Sequence, residues 1–315
     1  MRFLIGLVSV LALLYGGYWA VGVTAKGRAI DAAIVELRAA GWQVETAEIS
    51  TRGFPSRFDT TFDRPEVTAP SGLVSWQAPW AQLLAVSYLP NRAILALADN
   101  QTLTVAGDRI DVTTRDMRAS VRVAAATSLP LEAVTVEAGP TALSGPGWDS
   151  RIGRLLAALR AAEAPASYDL FLELTGLDLP VEAGPLGASV PLLRLDATAT
   201  LDAPLDRTSA APRLAGLAIR EARLDWGPSA ATMTAGLDWA SGLPEGPVTL
   251  AVTGWEALLD GLVAAGLVDP VAAGRIAPMV RLAGGGAADV TLEFEARDGA
   301  LWYALIPVFS FDQRQ

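Results

Sequence analysis

The chain of 315 residues contains no histidine, no cysteine and a single lysine, Lys26. The lack of histidine excludes Ser-His-Asp and Cys-His nucleophilic systems and any imidazole general base. The lack of cysteine excludes disulfides, thiolate nucleophiles and zinc sites built on cysteine and histidine. Carboxylate, hydroxyl and arginine side chains remain, so a two-carboxylate hydrolase is an enzyme class that the composition still permits.

Positive charge is also scarce. The 24 basic residues face 34 acidic ones, which gives a net charge of −10, and the basic residues are scattered singly. Nucleic-acid binding requires a clustered basic surface. We therefore predict no nucleic-acid partner, and we assign no catalytic residue, metal ligand or cofactor.

A long run without charge, Phe3 to Val23, stands near the start of the chain. As a helix it would rise roughly 30 Å, the thickness of the hydrocarbon core of a bilayer. Tyr15, Tyr18 and Trp19 lie towards its far end, as interfacial aromatic residues do. We predict a transmembrane helix that serves as an uncleaved signal-anchor, residues 1–24, and that joins the protein to the membrane through residues 3–23. The alternative is a cleaved signal peptide, which would have its cleavage site near Val23–Ala25.

The flanks of this run give the expected location. Arg2 lies on one side and Lys26 and Arg28 lie on the other, so the charge difference is nearly balanced. A short tail before a signal-anchor usually stays in the cytoplasm. We therefore expect a single-pass protein of the cytoplasmic (inner) membrane, with the bulk of the chain facing the periplasm. Helical spacing continues after the run and ends near Gly41.

Beyond Trp42 the dominant pattern is alternation of apolar and polar residues, which is typical of antiparallel strands with one buried face. The clearest alternating segments are residues 58–63, 117–123, 168–174, 193–202, 233–239 and 290–294. Turn signals separate them, above all Gly227-Pro228 and Asp298-Gly299. The pattern predicts an α+β protein that is mostly antiparallel β, with an N-terminal helix, one or more curved sheets and a few packing helices.

Three stretches with helical spacing interrupt these strands. They cover residues 148–159, 255–263 and 270–280, and the last one stops at Gly284-Gly285-Gly286. We divide the chain into the anchor at 1–24, a helix-plus-β domain at 25–165 and a second β-rich half at 166–315. The second half carries its helices near 255–282, and the two halves could form one continuous sheet.

Several short motifs follow the predicted anchor in a distinctive order. They are Gly53-Phe54-Pro55-Ser56-Arg57-Phe58-Asp59, Trp76 with Ala78-Pro79, Tyr88 with Pro90-Asn91, Leu224-Asp225-Trp226-Gly227-Pro228, Ala235-Gly236-Leu237-Asp238, Pro244-Glu245-Gly246 and Asp298-Gly299. In this order the chain resembles the family of alphaproteobacterial envelope proteins catalogued as domain of unknown function 2125. The resemblance spans nearly the whole chain. It implies a membrane-anchored, periplasmic protein and supplies no enzyme activity. In pattern alone, the chain is also similar to groove-forming β proteins that handle lipid in bacterial envelopes.

Five residues are candidates for ligand binding: Phe54, Arg57, Trp76, Trp80 and Trp226. The Gly53–Arg57 motif is either a turn between strands or a binding loop whose arginine meets an anionic group such as a lipid headgroup. Trp76 and Trp80 either close the core of a sheet or line an apolar groove, and Trp226 is suited to packing against a neighbouring strand.

Two hypotheses of function follow. The first is a non-enzymatic envelope protein whose sheet holds a lipid or acyl chain, or packs on an envelope protein partner. The second is a carboxylate-dependent hydrolase of envelope glycans, for which Asp59 with Asp63 and Glu293 with Glu295 are the acid pairs that would share a strand face. The missing histidine and cysteine favour the first hypothesis.

Overall fold

A computed structural model of the chain describes residues 2–89, 91–181, 183–209 and 211–311, with side chains from residue 14 onward. Pro90, which belongs to one of the motifs above, lies outside this set. The described chain is mostly antiparallel β sheet with three α-helices. It separates into unit 1, Met1–Val123 with Thr141–Trp148, and unit 2, Ala124–Pro140 with Asp149–Gln315. The predicted boundary at residue 165 therefore falls within unit 2.

Unit 1 begins with helix α1, Arg2–Ala39, which is followed by Gly41 in a left-handed conformation, as the sequence predicts. Among the residues whose side chains are described, no helix has the length and apolar character that crossing a membrane requires. Residues 3–13 of the predicted span are outside that group.

Eleven strands of unit 1 follow α1 within the described residues. They are β1 (Gln43–Glu45), β2 (Glu48–Arg52), β3 (Asp59–Asp63), β4 (Glu66–Thr68), β5 (Val74–Gln77), β6 (Trp80–Leu84), β7 (Arg92–Leu97), β8 (Asn100–Val105), β9 (Asp108–Thr113), β10 (Arg118–Val123) and, later in the chain, β12 (Thr141–Gly145). All pairings are antiparallel. One ladder runs β2-β3-β6-β7-β10 and the other runs β1-β4-β5-β8-β9-β12.

The two ladders of unit 1 meet along one line, which we call the crease. At the crease β3 gives way to β4 at Arg64-Pro65, and β5 gives way to β6 at Ala78-Pro79. A proline has no N–H to donate to a ladder, so both strands stop there. Two backbone hydrogen bonds connect the interrupted strands across the crease. Arg64 N donates to Pro79 O, and Ala78 N donates to Pro65 O.

Unit 2 is an antiparallel meander with much longer strands. They are β11 (Leu131–Ala138), β13 (Trp148–Ala161), β14 (Ser167–Asp178), β15 (Ser189–Leu201), β16 (Leu214–Trp226), β17 (Ser229–Asp238), β18 (Gly246–Thr253), β19 (Val290–Arg297), β20 (Ala300–Tyr303) and β21 (Ile306–Ser310). They pair in chain order from β11 with β13 through to β20 with β21. The predicted turns are confirmed, since Gly227-Pro228 joins β16 to β17 and Asp298-Gly299 joins β19 to β20.

The prediction of a helix over residues 148–159 is wrong, because this segment forms strand β13. Its backbone pairs with β11 on one side and with β14 on the other. Gly153 fits this setting, since a Cβ added there would lie 2.9 Å from the carbonyl oxygen of Thr175 on β14. The leucines and alanines of the segment suit a helix by intrinsic preference, and pairing on both edges overrides that preference.

Two predicted helices of unit 2 are confirmed: α2, Trp255–Ala264, and α3, Pro270–Ala283. Asp269 caps α3, because its side chain accepts hydrogen bonds from Val271 N at 2.8 Å and Ala272 N at 3.1 Å. A short 3₁₀ turn, Gly184–Leu186, lies against α2. The buried apolar cluster of this unit comprises Ala183, Leu186, Val190, Trp226, Val252, Trp255, Leu258, Val280, Val290 and Leu292.

Candidate functional site

The Gly53–Arg57 motif forms a turn that packs against helix α1. Trp19 Nε1 donates to Arg57 O at 2.9 Å, and the Trp19 ring lies edge-on to Phe54 and stacks on Phe58. Gly53 is required here, because its φ is +112° and an added Cβ would lie 2.8 Å from Arg57 Cβ. The motif is therefore a turn between strands, as one reading of the sequence predicts, and it also holds the helix.

A second segment, residues 83–87, contacts α1 beside this turn. Tyr18 Oη donates to Ser87 O at 2.7 Å, and Tyr15 Oη lies 3.2 Å from Ser87 Oγ. Lys26 Nζ donates to Phe58 O and, at 3.2 Å, to Leu83 O. We call residues 53–58 and 83–87 together the α1 clasp.

Lys26, the only lysine of the chain, is half-buried in this clasp. Burial lowers the pKa of its ammonium group from the ordinary value, and the nearby Asp59 carboxylate acts in the opposite direction. Two backbone carbonyls accept its hydrogen bonds. The geometry assigns the side chain to holding α1 on the sheet.

The crease of unit 1 opens into a cavity of about 680 Å³ whose lining residues are mostly polar or charged. Its wall includes a row of four residues that face one another across β4, β5, β8 and β9. The row consists of Glu66, Gln77, Thr102 and Asp111. Arg64 and Arg109 also line the cavity. Arg109 pairs with Asp111 at 2.9 Å, so part of the charge is already neutralised.

Trp76 and Trp80 flank the crease without lining this cavity. Trp76 is half-buried on β5, and its Nε1 donates to Gln101 Oε1 at 2.7 Å. Gln101 is buried, and its Nε2 donates a hydrogen bond to Ala98 O. Trp80 starts β6 opposite Asp63 and is 37% exposed.

The acid pairs named for the hydrolase hypothesis occupy exposed or paired positions. Asp59 pairs with Arg57 at 2.8 Å, and Asp63 pairs with Arg64 at 3.2 Å. Glu293 and Glu295 are exposed on β19. In the part of the chain that the structure describes, no three acidic residues gather as a metal site would require.

The crease cavity holds two further carboxylates, those of Glu66 and Asp111. Three strand spacings of about 4.8 Å separate their Cα atoms. Glycosidases usually hold their two carboxyl groups about 5 to 10 Å apart, so this spacing does not favour the pair as acid and base. The hydrolase hypothesis stays an untested prediction.

An apolar cavity of about 370 Å³ lies in unit 2, between the two helices and the last strands of the sheet. Every residue of its lining is apolar. Its lining comprises Leu250, Val252, Trp255, Leu258, Leu259, Leu262, Ile276, Met279, Val280, Val290, Leu292, Phe294, Leu301, Val308 and Phe309.

Local structure keeps polar groups out of this cavity. The indole N–H of Trp255 donates to Ala287 O at 3.1 Å, so the one polar atom among the lining side chains already has a partner. Arg281 on α3 pairs with Glu256 on α2 at 2.7 Å, and its guanidinium lies 5.8 Å from the centre of the Trp255 ring. This ion pair links the two helices outside the apolar lining.

No sequence motif marks this cavity as a site. The helical spacing of apolar residues predicts the apolar stripes of α2 and α3, and the predicted role of these stripes is packing. Trp226, the candidate that lies in the same unit, is 2% exposed, and its Nε1 donates to Gly187 O at 3.1 Å. It belongs to the buried cluster and is absent from the cavity lining. The signal in the sequence was two short amphipathic helices in succession, each with an apolar stripe.

Comparison with known proteins yields one family. The model of the family described as uncharacterized protein conserved in bacteria (DUF2125) matches residues 19–311. No curated protein and no solved structure matches the chain.

Proposed function

The chain belongs to this bacterial family of uncharacterized proteins, and from that premise we propose that it is a non-enzymatic protein of the cell envelope that holds an acyl chain in unit 2. The apolar cavity beneath α2 and α3 carries the proposal. Its volume of about 370 Å³ falls in the range of about 300–1,000 Å³ that is usual for small-molecule sites.

The chemistry of the lining selects the ligand class. Sites for polar small molecules place a few hydrogen-bonding groups among their apolar residues. The fifteen lining residues offer no such side-chain group beyond the Trp255 indole, which already donates to Ala287 O. A polar group inside the cavity would therefore lose its hydrogen bonds to water without replacement, whereas hydrocarbon would be stabilised by burial. An acyl chain meets this requirement.

The cavity also has an opening suited to a long chain. Phe309 and Ile276 belong to the lining, and 59% and 38% of their surfaces are exposed. An acyl chain could enter past these residues while its headgroup stays in water. The Arg281–Glu256 pair supplies charged groups close to Trp255 for such a headgroup.

We further propose that the protein is attached to the cytoplasmic membrane through residues 3–23 and that its bulk faces the periplasm. The uncharged run and the aromatic residues at its end support the attachment to a membrane. A membrane also provides the acyl chains that the cavity is suited to hold.

The proposal can be tested by photo-crosslinking in bacterial membranes that contain the full chain. Phospholipid with a photoreactive group at the end of its acyl chain is supplied, and the cross-linked peptides are identified by mass spectrometry. We expect cross-links in α2, α3 and the β20–β21 region.

A matched pair of substitutions tests the cavity itself. Met279→Trp places a large ring in the lining, whereas Leu282→Trp adds the same ring at a position of α3 that is 85% exposed and outside the lining. Filling the cavity should lower cross-linking in unit 2 by about tenfold, and the control should leave it unchanged. Equal cross-linking in both variants, or cross-links confined to α1, would contradict acyl-chain binding in unit 2.

A further inference from the structure

The α1 clasp contacts helix α1 within the uncharged run of the helix. The run extends from Phe3 to Val23, and Tyr15 is the first residue that contacts the α1 clasp among those whose side chains the structure describes. The part of the run before Tyr15, residues 3–14, would rise only about 18 Å as a helix. The hydrocarbon core of a bilayer is about 30 Å thick. If this run enters a membrane while the clasp holds, the clasp itself must reach the membrane surface.

The surface around the clasp has the composition that such a position requires. Phe54 is 61% exposed, and its ring lies 5.5 Å from that of Trp19 on α1. Tyr88 is 69% exposed and Leu89 is 38% exposed, directly after the Ser87 that contacts Tyr15 and Tyr18. Aromatic and apolar residues exposed together at one level of a helix are typical of the membrane interface.

A small cavity of about 320 Å³ adjoins the clasp and combines charge with an apolar wall. Arg57 and Arg92 supply two guanidinium groups, and both side chains are exposed. The apolar part of the wall comprises Leu84, Ala85, Val86, Leu89, Ala93 and Ile94. Guanidinium groups bind phosphate well, and the apolar wall suits the adjoining glycerol and first acyl carbons of a phospholipid.

We propose that the clasp end of unit 1 lies in the headgroup layer of the membrane, with Arg57 and Arg92 holding the phosphate of an anionic phospholipid. Phe54, Tyr88 and Leu89 then insert beside α1. This inference rests on the membrane location proposed above and is independent of the acyl-chain cavity in unit 2. The Asp59 carboxylate already pairs with Arg57, so Arg92 is the better residue for a test by substitution.

The absence of cysteine makes the position of unit 1 measurable, because a single introduced cysteine is the only thiol. Tyr88→Cys places a fluorescent label directly after the clasp. Leu73→Cys places the same label in the β4–β5 turn, at a residue that is 59% exposed. That turn is near the other end of α1, where a Cβ on Gly41 would contact Pro70 at 3.2 Å. The helix between Tyr18 and Ala39 separates the two levels by roughly 30 Å.

The full chain is reconstituted in vesicles of phosphatidylcholine and phosphatidylglycerol that contain lipid with a quencher on its headgroup. We expect the label at position 88 to be quenched several-fold more strongly than the label at position 73. Equal quenching at the two positions, or none at position 88, would overturn the proposed position of unit 1.

The headgroup site is tested with the charge-removing variant Arg92→Gln. Arg109→Gln is the matched control, because it removes an equal charge from an exposed arginine on β9, outside the clasp. Phosphatidylglycerol that copurifies with the full chain is measured against phosphatidylcholine by mass spectrometry. Arg92→Gln should lower this ratio about fivefold, which corresponds to about 1 kcal/mol for one arginine at a membrane surface.

Each outcome of this comparison decides the point. An unchanged ratio in Arg92→Gln, or an equal loss in Arg109→Gln, would refute the site. Cross-linking in unit 2 is a separate measurement, so a failure of the acyl-chain proposal would be distinguishable from a failure of this one.

Discussion

Units 1 and 2 are both built from antiparallel strands, yet they bury different chemistry. The strands of unit 1 that lie along the crease have 3 to 6 residues, and its fully buried side chains are the polar Thr60, Ser87 and Thr114. Strands β13 to β17 of unit 2 have 10 to 14 residues, and that unit contains the apolar cluster. The two cavities differ because of what borders them: interrupted strands leave polar groups at the crease of unit 1, whereas in unit 2 helices α2 and α3 cover an apolar face of strands β18 to β21.

Hydrogen bonding explains how unit 1 tolerates its polar interior. Thr60 Oγ1 lies 2.9 Å from Thr51 Oγ1, and Thr114 Oγ1 lies 2.8 Å from Thr141 Oγ1. Buried hydroxyls that are paired in this way avoid the cost of losing water, whereas unit 2 gains stability from apolar burial itself. Substitutions in the two units should therefore differ in size.

The largest expected effect is the removal of a tryptophan from the core of unit 2. Trp226→Ala should cost about 3–5 kcal/mol, because the indole is 2% exposed and its removal leaves a cavity. Trp80→Ala, the same change at a unit 1 residue that is 37% exposed, should cost about 1 kcal/mol. Hydrogen exchange read by mass spectrometry gives the opening free energy of each unit. An equal or larger loss for Trp80→Ala would break the comparison between the units.

An intermediate effect is expected where α1 meets the clasp. A Cβ added at Gly22 would lie 2.5 Å from Phe58 Cζ, and Phe58 is 7% exposed and unable to move freely. Gly22→Ala should therefore loosen α1 by about 1–3 kcal/mol. Gly27→Ala is the control, because an added Cβ there meets nothing within 4 Å and should stabilise the helix by up to about 1 kcal/mol.

The critical result is that the two alanine substitutions change the stability of α1 in opposite directions. The rate of protease cleavage within α1, measured in the full chain, reports these changes in stability. If Gly22→Ala protects α1 as well as Gly27→Ala does, the packing of α1 on Phe58 is not what holds the helix.

The smallest expected effect concerns the charged face of the unit 2 sheet. A hydrogen bond from Thr198 at 2.8 Å, followed by the charges of Arg220 and Arg160, lowers the pKa of Asp169 below its ordinary value of 3.8. A lowered carboxyl pKa in the folded state contributes stability above pH 3.8, and this contribution is lost as pH falls through the folded-state pKa. Asp169→Asn should therefore cost less than about 1 kcal/mol near neutral pH, and the difference should vanish in acid.

Denaturant titrations of the full chain from neutral to acidic pH measure this difference. A difference that stays constant over the whole range would show that Asp169 contributes through packing and not through its charge.

Local sequence patterns anticipated much of the secondary structure. Alternation predicted β3, β10, β14, β15, β17 and β19, and Asp298-Gly299 predicted the turn between β19 and β20, because two-residue loops of this kind match the twist of the flanking strands. The motifs around Gly53–Asp59 and Trp226–Pro228 led to the family that the full comparison confirms. The exception was β13, whose leucine spacing fits a helix as well as a strand.

The candidate sites were much less predictable than the strands. Phe54 and Arg57 belong to one sequence motif and are two of the five predicted candidates, but their contacts with Trp19 join residues 35 or more positions apart in the chain. The apolar cavity combines residues from Leu250 to Phe309, and packing in the core would produce the same apolar pattern in the sequence. The apolar side chains of a helix either pack fully against the sheet or leave a cavity. The outcome depends on the distance between the helix and the strands it covers.

The sequence by itself determined the classes of chemistry that are absent, the predominance of strands, the positions of α2 and α3 and the family. These properties follow from residue identity and from periodicity over short distances. Only the tertiary structure decided that β13 is a strand, that the clasp holds α1 through Tyr15, Tyr18, Trp19 and Lys26, and that an apolar cavity remains under α2 and α3. Each of these depends on contacts between residues far apart in the chain, whose geometry no local pattern encodes.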